Sequence, residues 1–181
     1  MIRSLRSLRR AARRDDGAST LEFVLIVPVL FGFIVNSCEA GLVMTRGAFL
    51  DWGLNSAVRE LRLGAITESS EFVDAVCSHV WVLGEEGECK RRLQLEVVVF
   101  DRANPAGAMN PNLCLPTGDD ELPPPASFTP GNPEDGEITI VRVCASIPAY
   151  TPGFGLGAAL ARTDDGEYFI TATSAYTAEP T

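Results

Sequence analysis

The stretch Arg13–Val35, RRDDGASTLEFVLIVPVLFGFIV, decides how the chain is read. A charged head gives way after Gly17 to an apolar run, and one carboxylate, Glu22, stands at the mouth of that run. Phe23–Val35 is uncharged for 13 residues (35 − 22), which is short for a bilayer span of about 20 residues. Extending the segment to Ala18–Met44 supplies the length but encloses Glu22, Asn36 and Glu39. A cleaved secretory signal shares the basic start and apolar middle, with Cys38-Glu39-Ala40 as a small-residue exit. Val35-Asn36-Ser37-Cys38 is a poor lipoprotein site, because Asn36 stands where a small apolar residue is expected. Neither alternative explains Glu22 or the twenty residues that follow.

Charge along the 181 residues supports a membrane segment. The formal net charge is −9, but Arg3, Arg6, Arg9, Arg10, Arg13 and Arg14 precede Gly17 against only Asp15 and Asp16. After Met44 there are nine basic and twenty acidic residues, 9 − 20 = −11. A basic tail, an apolar run and an acidic remainder describe a single span with its N-terminus inside. The acidic remainder would repel phosphate, which argues against a nucleic-acid partner.

Helical periodicity continues beyond the apolar run. Leu50, Leu54, Ala57, Val58 and Leu61 recur at steps of three and four, while Asp51, Asn55, Arg59 and Arg62 form a separate polar face. Gly64 marks a stop. One helix from Leu21 to Leu63 is therefore expected, about 60 Å long, half in lipid and half standing out of it. Pro28 falls in the lipid half, where it removes a backbone hydrogen bond and favours a kink or a loosened turn.

Gly17-Ala18-Ser19-Thr20-Leu21-Glu22-Phe23 fits the G-x-x-x-x-E-[FY] signal of type IV prepilins, which a membrane peptidase cuts after the glycine. With the arginine-rich leader, the proline inside the apolar run, the Glu39/Gly41 exit and the Ala/Arg-rich helix behind it, the first third of the chain resembles the TadE/TadF pseudopilins of the tight-adherence (Tad) pilus. The end, ITATSAYTAEP, is also similar to the last strand of that family, with its Glu-Pro-like pair at Glu179-Pro180. The resemblance implies processing at Gly17, Ala18, Glu22 and Phe23, and subunit assembly through Ala18, Glu22 and Pro28. It implies as partners a prepilin peptidase, other Tad pilins with their inner-membrane platform, and the lipid bilayer. A carboxylate within the hydrocarbon costs about 2.5–3.5 kcal/mol on insertion scales, so Glu22 needs a partner. Cleavage would free the Ala18 amine, which in the assembled pilins faces this glutamate from a neighbouring subunit. The competing reading is an acidic residue tolerated at headgroup level.

The remainder reads as a small exported α+β domain. Phe72, Val73, Val76, Cys77, Val80 and Trp81 have helical spacing and predict a second helix over Ser70–Leu83. Three strands are predicted at Leu93–Phe100, Glu137–Ile147 and Glu167–Tyr176. Their inward faces would be Leu93, Leu95, Val97 and Val99; Val141, Val143, Ala145 and Ile147; and Tyr168, Ile170 and Ala172. Asp165-Gly166 marks a turn before the third strand. A three-stranded antiparallel sheet packed on helices is expected. Asn104–Gly136 holds eight of the twelve prolines and reads as an irregular surface insertion rather than a dedicated binding loop.

Of the five cysteines, Cys38 lies at the membrane segment, leaving Cys77, Cys89, Cys114 and Cys144 in the domain. Four cysteines allow three pairings. The preferred one joins Cys77 to Cys89, clipping the second helix to the start of strand one, and Cys114 to Cys144, tying the long loop to strand two. Disulfides imply an oxidising compartment. A metal site would need short paired spacings such as C-x-x-C, and none occurs.

Residues for catalysis are scarce. His79 is the only histidine and reads as a packed or half-exposed structural residue. Gly153-Phe154-Gly155-Leu156-Gly157 does not follow a strand and reads as a flexible connector rather than a nucleotide loop. Thr163–Glu167, TDDGE, lacks the alternating oxygen ligands of a calcium loop and reads as a turn.

The expectation is a structural protein without enzymatic activity, cofactor or metal. Its parts are a basic leader (1–17), a transmembrane helix (18–44), a stalk helix continuing it (45–64) and an exported α+β domain (65–181) with the Pro-rich loop at 104–136. The expected setting is a bacterial inner membrane, N-terminus cytoplasmic and domain periplasmic or incorporated in a pilus. The alternative is a membrane-tethered periplasmic binding or adhesion module that is not processed as a pilin.

Overall fold

The computed structural model describes residues 15–100, 109–110, 113–114, 127–130, 137–161, 163 and 165–177. Most of the leader, most of the Pro-rich loop and the Glu179-Pro180 pair lie outside these residues.

A single helix, α1 (Asp15–Arg62), runs through Pro28 as one uninterrupted element and carries the apolar stretch at its front. Residues 19–62 include a stretch long and apolar enough to cross a membrane, and none of that stretch is buried within the protein. Val29 and Phe33 are 74% and 72% exposed, so the first half of α1 shows water-averse side chains all round, as a lipid-facing helix does. The second half behaves differently. Leu50, Leu54, Ala57, Val58 and Leu61 are buried, on the stripe that the three-and-four spacing marks out. Gly64 ends the helix at φ 73°, a conformation that costs glycine little. Its N–H bonds to Leu61 O at 3.1 Å and the Ala65 N–H to Glu60 O at 3.0 Å, so the last carbonyls find donors in a Schellman arrangement.

The next elements are α2 (Ser69–His79), a 3₁₀ turn (Trp81–Leu83) and α3 (Glu86–Arg92). The helix expected over Ser70–Leu83 thus stops at His79 and tightens into 3₁₀. The Cys77–Cys89 disulfide joins α2 to α3.

The sheet differs from the expected three antiparallel strands. It is four-stranded and mixed, in the order β2-β1-β3-β4, with β1 at Leu93–Val99, β2 at Ser127–Phe128, β3 at Ile138–Pro148 and β4 at Glu167–Thr177. The extra strand is two residues long and pairs parallel with β1, Glu96 opposite Ser127 and Val97 opposite Phe128. Two residues are too few to show alternation, and proline-rich sequence precedes them, so the sequence carries no strand signal there.

The three longer strands pair antiparallel as expected, with Leu93 opposite Ala145, Leu95 opposite Val143 and Val97 opposite Val141. Ala145 then faces Ile170, Val143 faces Ala172 and Ile147 faces Tyr168 on β4. These residues are buried and meet Leu50, Leu54, Phe72, Val76 and Val80 in one core. The sheet thus packs its apolar face on the upper half of α1 and on α2, as layers with one greasy side each must. Gly53 sets the closeness of the α1–α2 crossing: a Cβ there would come 2.5 Å from Val80 Cγ2 and 3.0 Å from the Val76 carbonyl oxygen.

The opposite face of the sheet holds a buried ion pair. Glu96 and Arg142 stand opposite each other on β1 and β3, 2.7 Å apart, with Glu96 2% exposed. Asn110 adds its N–H to Glu96 Oε1 at 2.6 Å and its carbonyl oxygen to Arg142 Nη2. Cys114 bonds to Cys144 of β3 beside it. The Cys114–Cys144 bond ties the long loop to β3 as expected, and the Asn110 contacts and the β1–β2 pairing hold further described fragments of the irregular insertion against the sheet.

Candidate functional site

Two regions of α1 carry side chains whose chemistry conflicts with lipid, and the structure treats them differently. The first is the helix head. Gly17 and Ala18 lie in the first turn of α1, with Glu22 and Phe23 one turn further on. Ala18 and Glu22 are four residues apart, hence on one side of the helix. Glu22, Phe23 and Pro28 are all exposed. The predicted processing and assembly residues thus occupy the first turns of α1, before the point at Gly32 that the Phe154 ring reaches.

The second region is a polar seam at the outer end of the apolar run, formed by Asn36, Glu39 and Arg46. Steps of three and seven place these residues on one side of α1. The connection between β3 and β4 lies along that side. Glu39 is 3% exposed and accepts the Tyr150 N–H at 3.1 Å, the Thr151 N–H at 3.4 Å and the Thr151 hydroxyl. Asn36 Oδ1 accepts the Leu156 N–H, while its amide nitrogen donates to Gly32 O at 2.7 Å within α1. Arg46 donates to Pro148 O at 3.3 Å and to the Tyr168 hydroxyl at 3.1 Å, and its guanidinium stands 5.1 Å from the Tyr150 ring centre.

These contacts resolve the difficulty posed by enclosing Asn36 and Glu39 in a span. A carboxylate placed bare in hydrocarbon costs about 2.5–3.5 kcal/mol, whereas one ringed by N–H and O–H donors exchanges water for fixed dipoles.

Two glycines allow the approach. Gly155 adopts φ +60°, and a Cβ on it would collide with the Asn36 side chain. A Cβ on Gly157 would stand 2.5 Å from the Thr151 carbonyl oxygen and 2.6 Å from Glu39 Oε1. The run Gly153–Gly157 is thus no flexible connector. Its second half opens a short helix, α4 (Gly155–Leu160), seated on α1. Sequence reasoning missed Asn36, Glu39 and the glycines as one unit. The available signal was the helical spacing of three polar residues at the edge of an apolar run, paired with a G-x-G-x-G stretch that no nucleotide-loop context explains.

Higher on α1, Phe49, Trp52, Trp81 and His79 form an aromatic cluster. Phe49 lies edge-on to Trp52 at 6.4 Å and to Trp81 at 5.6 Å, and Trp52 is 5.0 Å from the His79 ring. His79 Nε2 is 3.1 Å from Ser56 Oγ, joining α2 to α1, which gives this half-buried histidine a structural place. Among the described residues no group of three or more His, Cys, Asp or Glu side chains is arranged to hold a metal ion. Cys77 bonds to Cys89, Cys114 bonds to Cys144, and Cys38 is a free, exposed thiol.

No family model, curated protein or solved structure matches the chain. The long apolar helix near the N-terminus is compatible with a single-pass membrane anchor.

Proposed function

We propose that this chain is a TadE/TadF-like minor pilin or pseudopilin, an inner-membrane protein cut by a prepilin peptidase and used to start, prime or cap a Tad-type pilus or a related secretion filament. One observation carries the reading. The Gly17–Phe23 motif stands at the head of an unbroken helix whose far half is fixed to a disulfide-bonded domain. In this role the leader stays cytoplasmic, the first half of α1 occupies the bilayer, and the domain folds in the periplasm, where its disulfides form. Glu22 serves as the acceptor for the Ala18 amine of a neighbouring subunit, so that two groups costly in lipid become one pair. The role is structural and uses no catalytic residue or cofactor.

N-terminal sequencing of protein from the native host, together with Gly17 and Glu22 variants, tests the proposal. The mature protein begins at Ala18. Gly17 substitutions leave full-length protein, whereas Glu22→Ala and Glu22→Gln are cut normally but fail to crosslink to pilin partners and fail to support pili. A mature N-terminus at Met1, or near Cys38 or Gly41, overturns the pilin reading and favours the tethered or secreted module. Normal piliation with Glu22→Ala overturns the pairing mechanism alone.

A further inference from the structure

The β3–β4 connection descends far below the sheet it links. Its start, at Pro148, lies at the level of Arg46, whereas Tyr150 and Thr151 lie at Glu39 and Leu156 at Asn36. The Phe154 ring reaches Gly32, where an added Cβ would stand 3.5 Å from its Cζ. From Arg46 to Gly32 is 46 − 32 = 14 residues, about 21 Å of helix. The tip therefore sits at the level of Phe31, Phe33 and Ile34, which are 65%, 72% and 50% exposed. Phe154 is itself 58% exposed.

Resting on the reading of α1 as a membrane span, we propose that residues 150–161 form a second membrane-inserted element. They lie against α1 in the leaflet on the domain side, with Phe154 among the acyl chains and lipid as the partner of their outer face.

Three observations favour lipid. Pro152–Ala161, PGFGLGAALA, contains no charge, and its outward residues Phe154, Ala158 and Ala159 continue the apolar surface of α1 at the same depth. Much of the backbone is supplied with internal partners, which lowers the cost of placing it in hydrocarbon. Phe154 N–H bonds to Thr151 O at 3.1 Å, Ala161 N–H to Gly157 O at 3.0 Å, and the Tyr150, Thr151 and Leu156 N–H groups to Glu39 and Asn36. Finally, Tyr150, 65% exposed under the Arg46 guanidinium, stands where the apolar collar ends, the place aromatic and basic side chains take at a headgroup boundary.

Nitroxide accessibility in the full chain tests the proposal. A Cys38→Ser background leaves a single labelling thiol at Phe154→Cys or, on the same face, Ala159→Cys. Phe31→Cys serves as the α1 reference and Glu60→Cys as the aqueous one. In vesicles of phosphatidylethanolamine and phosphatidylglycerol, the ratio of collisions with oxygen to those with a water-soluble nickel chelate at 154 and 159 should match Phe31 and exceed Glu60 several-fold. A lipid-like Phe31 with water-like 154 and 159 overturns the inserted element and leaves the span standing. A water-like Phe31 overturns the span and, with it, this proposal. Shielding of 154 and 159 from both quenchers, with dipolar broadening between labels, means that a second copy covers the face and overturns lipid as its partner. Both positions are exposed and outside the core, and peptide mapping of the two disulfides checks that each labelled variant is folded.

Discussion

Glu39 and Tyr150 are 111 residues apart, yet the Tyr150 N–H lies 3.1 Å from Glu39 Oε1. That one carboxylate pins the β3–β4 connection to α1, while the core around Leu50 and Leu54 holds the rest of the domain on the helix. Removing the carboxylate should release the β3–β4 connection while leaving the core of Leu54, Phe72 and Val143 intact. Glu39→Leu strips the acceptor from two backbone donors and one hydroxyl, and each unsatisfied buried donor costs about 1–3 kcal/mol. Glu39→Gln keeps an acceptor oxygen and should lose about half as much or less. Limited proteolysis in detergent checks this. The leucine variant should be nicked within 149–161 much faster than wild type, the glutamine variant only slightly faster, and equal resistance of all three would refute the anchoring role.

Gly53 offers a sharper packing test. A methyl group at that position meets Val80 Cγ2 at 2.5 Å and the Val76 carbonyl at 3.0 Å, and the carbonyl belongs to a helix that must move as a body. Added volume of this kind in a packed core costs about 1–3 kcal/mol, which exceeds the helix-propensity gain of about 1 kcal/mol for Gly→Ala. Gly53→Ala should lower the thermal midpoint, whereas Gly47→Ala, where nothing stands within 4 Å of the added Cβ, should hold or raise it.

The contrast between these glycines shows which parts of the fold were legible in advance. Strand faces could be read because alternation is local: Leu93, Leu95 and Val97 alternate, and the same side carries Val143 and Ala172 in register. The buried stripe of α1 was readable for the same reason. By contrast, β2 is too short to alternate, and its parallel pairing with β1 is set by a distant stretch of chain. The Asn36–Glu39 seam was seen only as a problem of polar residues in an apolar run. Its solution lies more than 110 residues away, at Tyr150–Leu156, where no periodicity leads.

The two disulfides should contribute unequally to distinct parts of the domain. Cys77–Cys89 spans 12 residues and Cys114–Cys144 spans 30, for which loop-closure entropy gives about 3 and about 3.5 kcal/mol. The first fastens α2 and α3 to the core, and Cys89 is fully buried. The second fastens the long loop to the outer face of β3. Cys77→Ser with Cys89→Ser should therefore lower the midpoint of cooperative unfolding followed by tryptophan fluorescence, since Trp81 lies between those cysteines. The Cys114→Ser, Cys144→Ser pair should instead speed proteolysis within 101–136. If the second pair shifts the fluorescence midpoint as much as the first, the loop and core unfold as one unit.

The start of α2 carries the pH dependence whose sign is clearest. Glu71 Oε2 accepts the Thr67 N–H at 3.0 Å and the Glu68 N–H at 3.3 Å, satisfying two donors at the helix entrance. The Thr67 backbone bond, followed by that from Glu68, holds the Glu71 carboxyl below its ordinary value of 4.5, with desolvation opposing. A depressed folded value means that the ionised form is favoured by folding. The contribution is fully present above the ordinary carboxylate range and fades as pH falls through the folded value. Glu71→Gln keeps an acceptor oxygen but cannot titrate, so its stability difference from wild type should be greatest at neutral pH and shrink below pH about 4. Thermal melts of both proteins between pH about 3 and pH about 7, followed by far-UV circular dichroism, provide the measurement. Subtracting the two curves removes titrations common to both. A difference that stays constant across this range, or grows toward acid, would show that the Glu71 carboxylate is not bound to the Thr67 and Glu68 amides in solution.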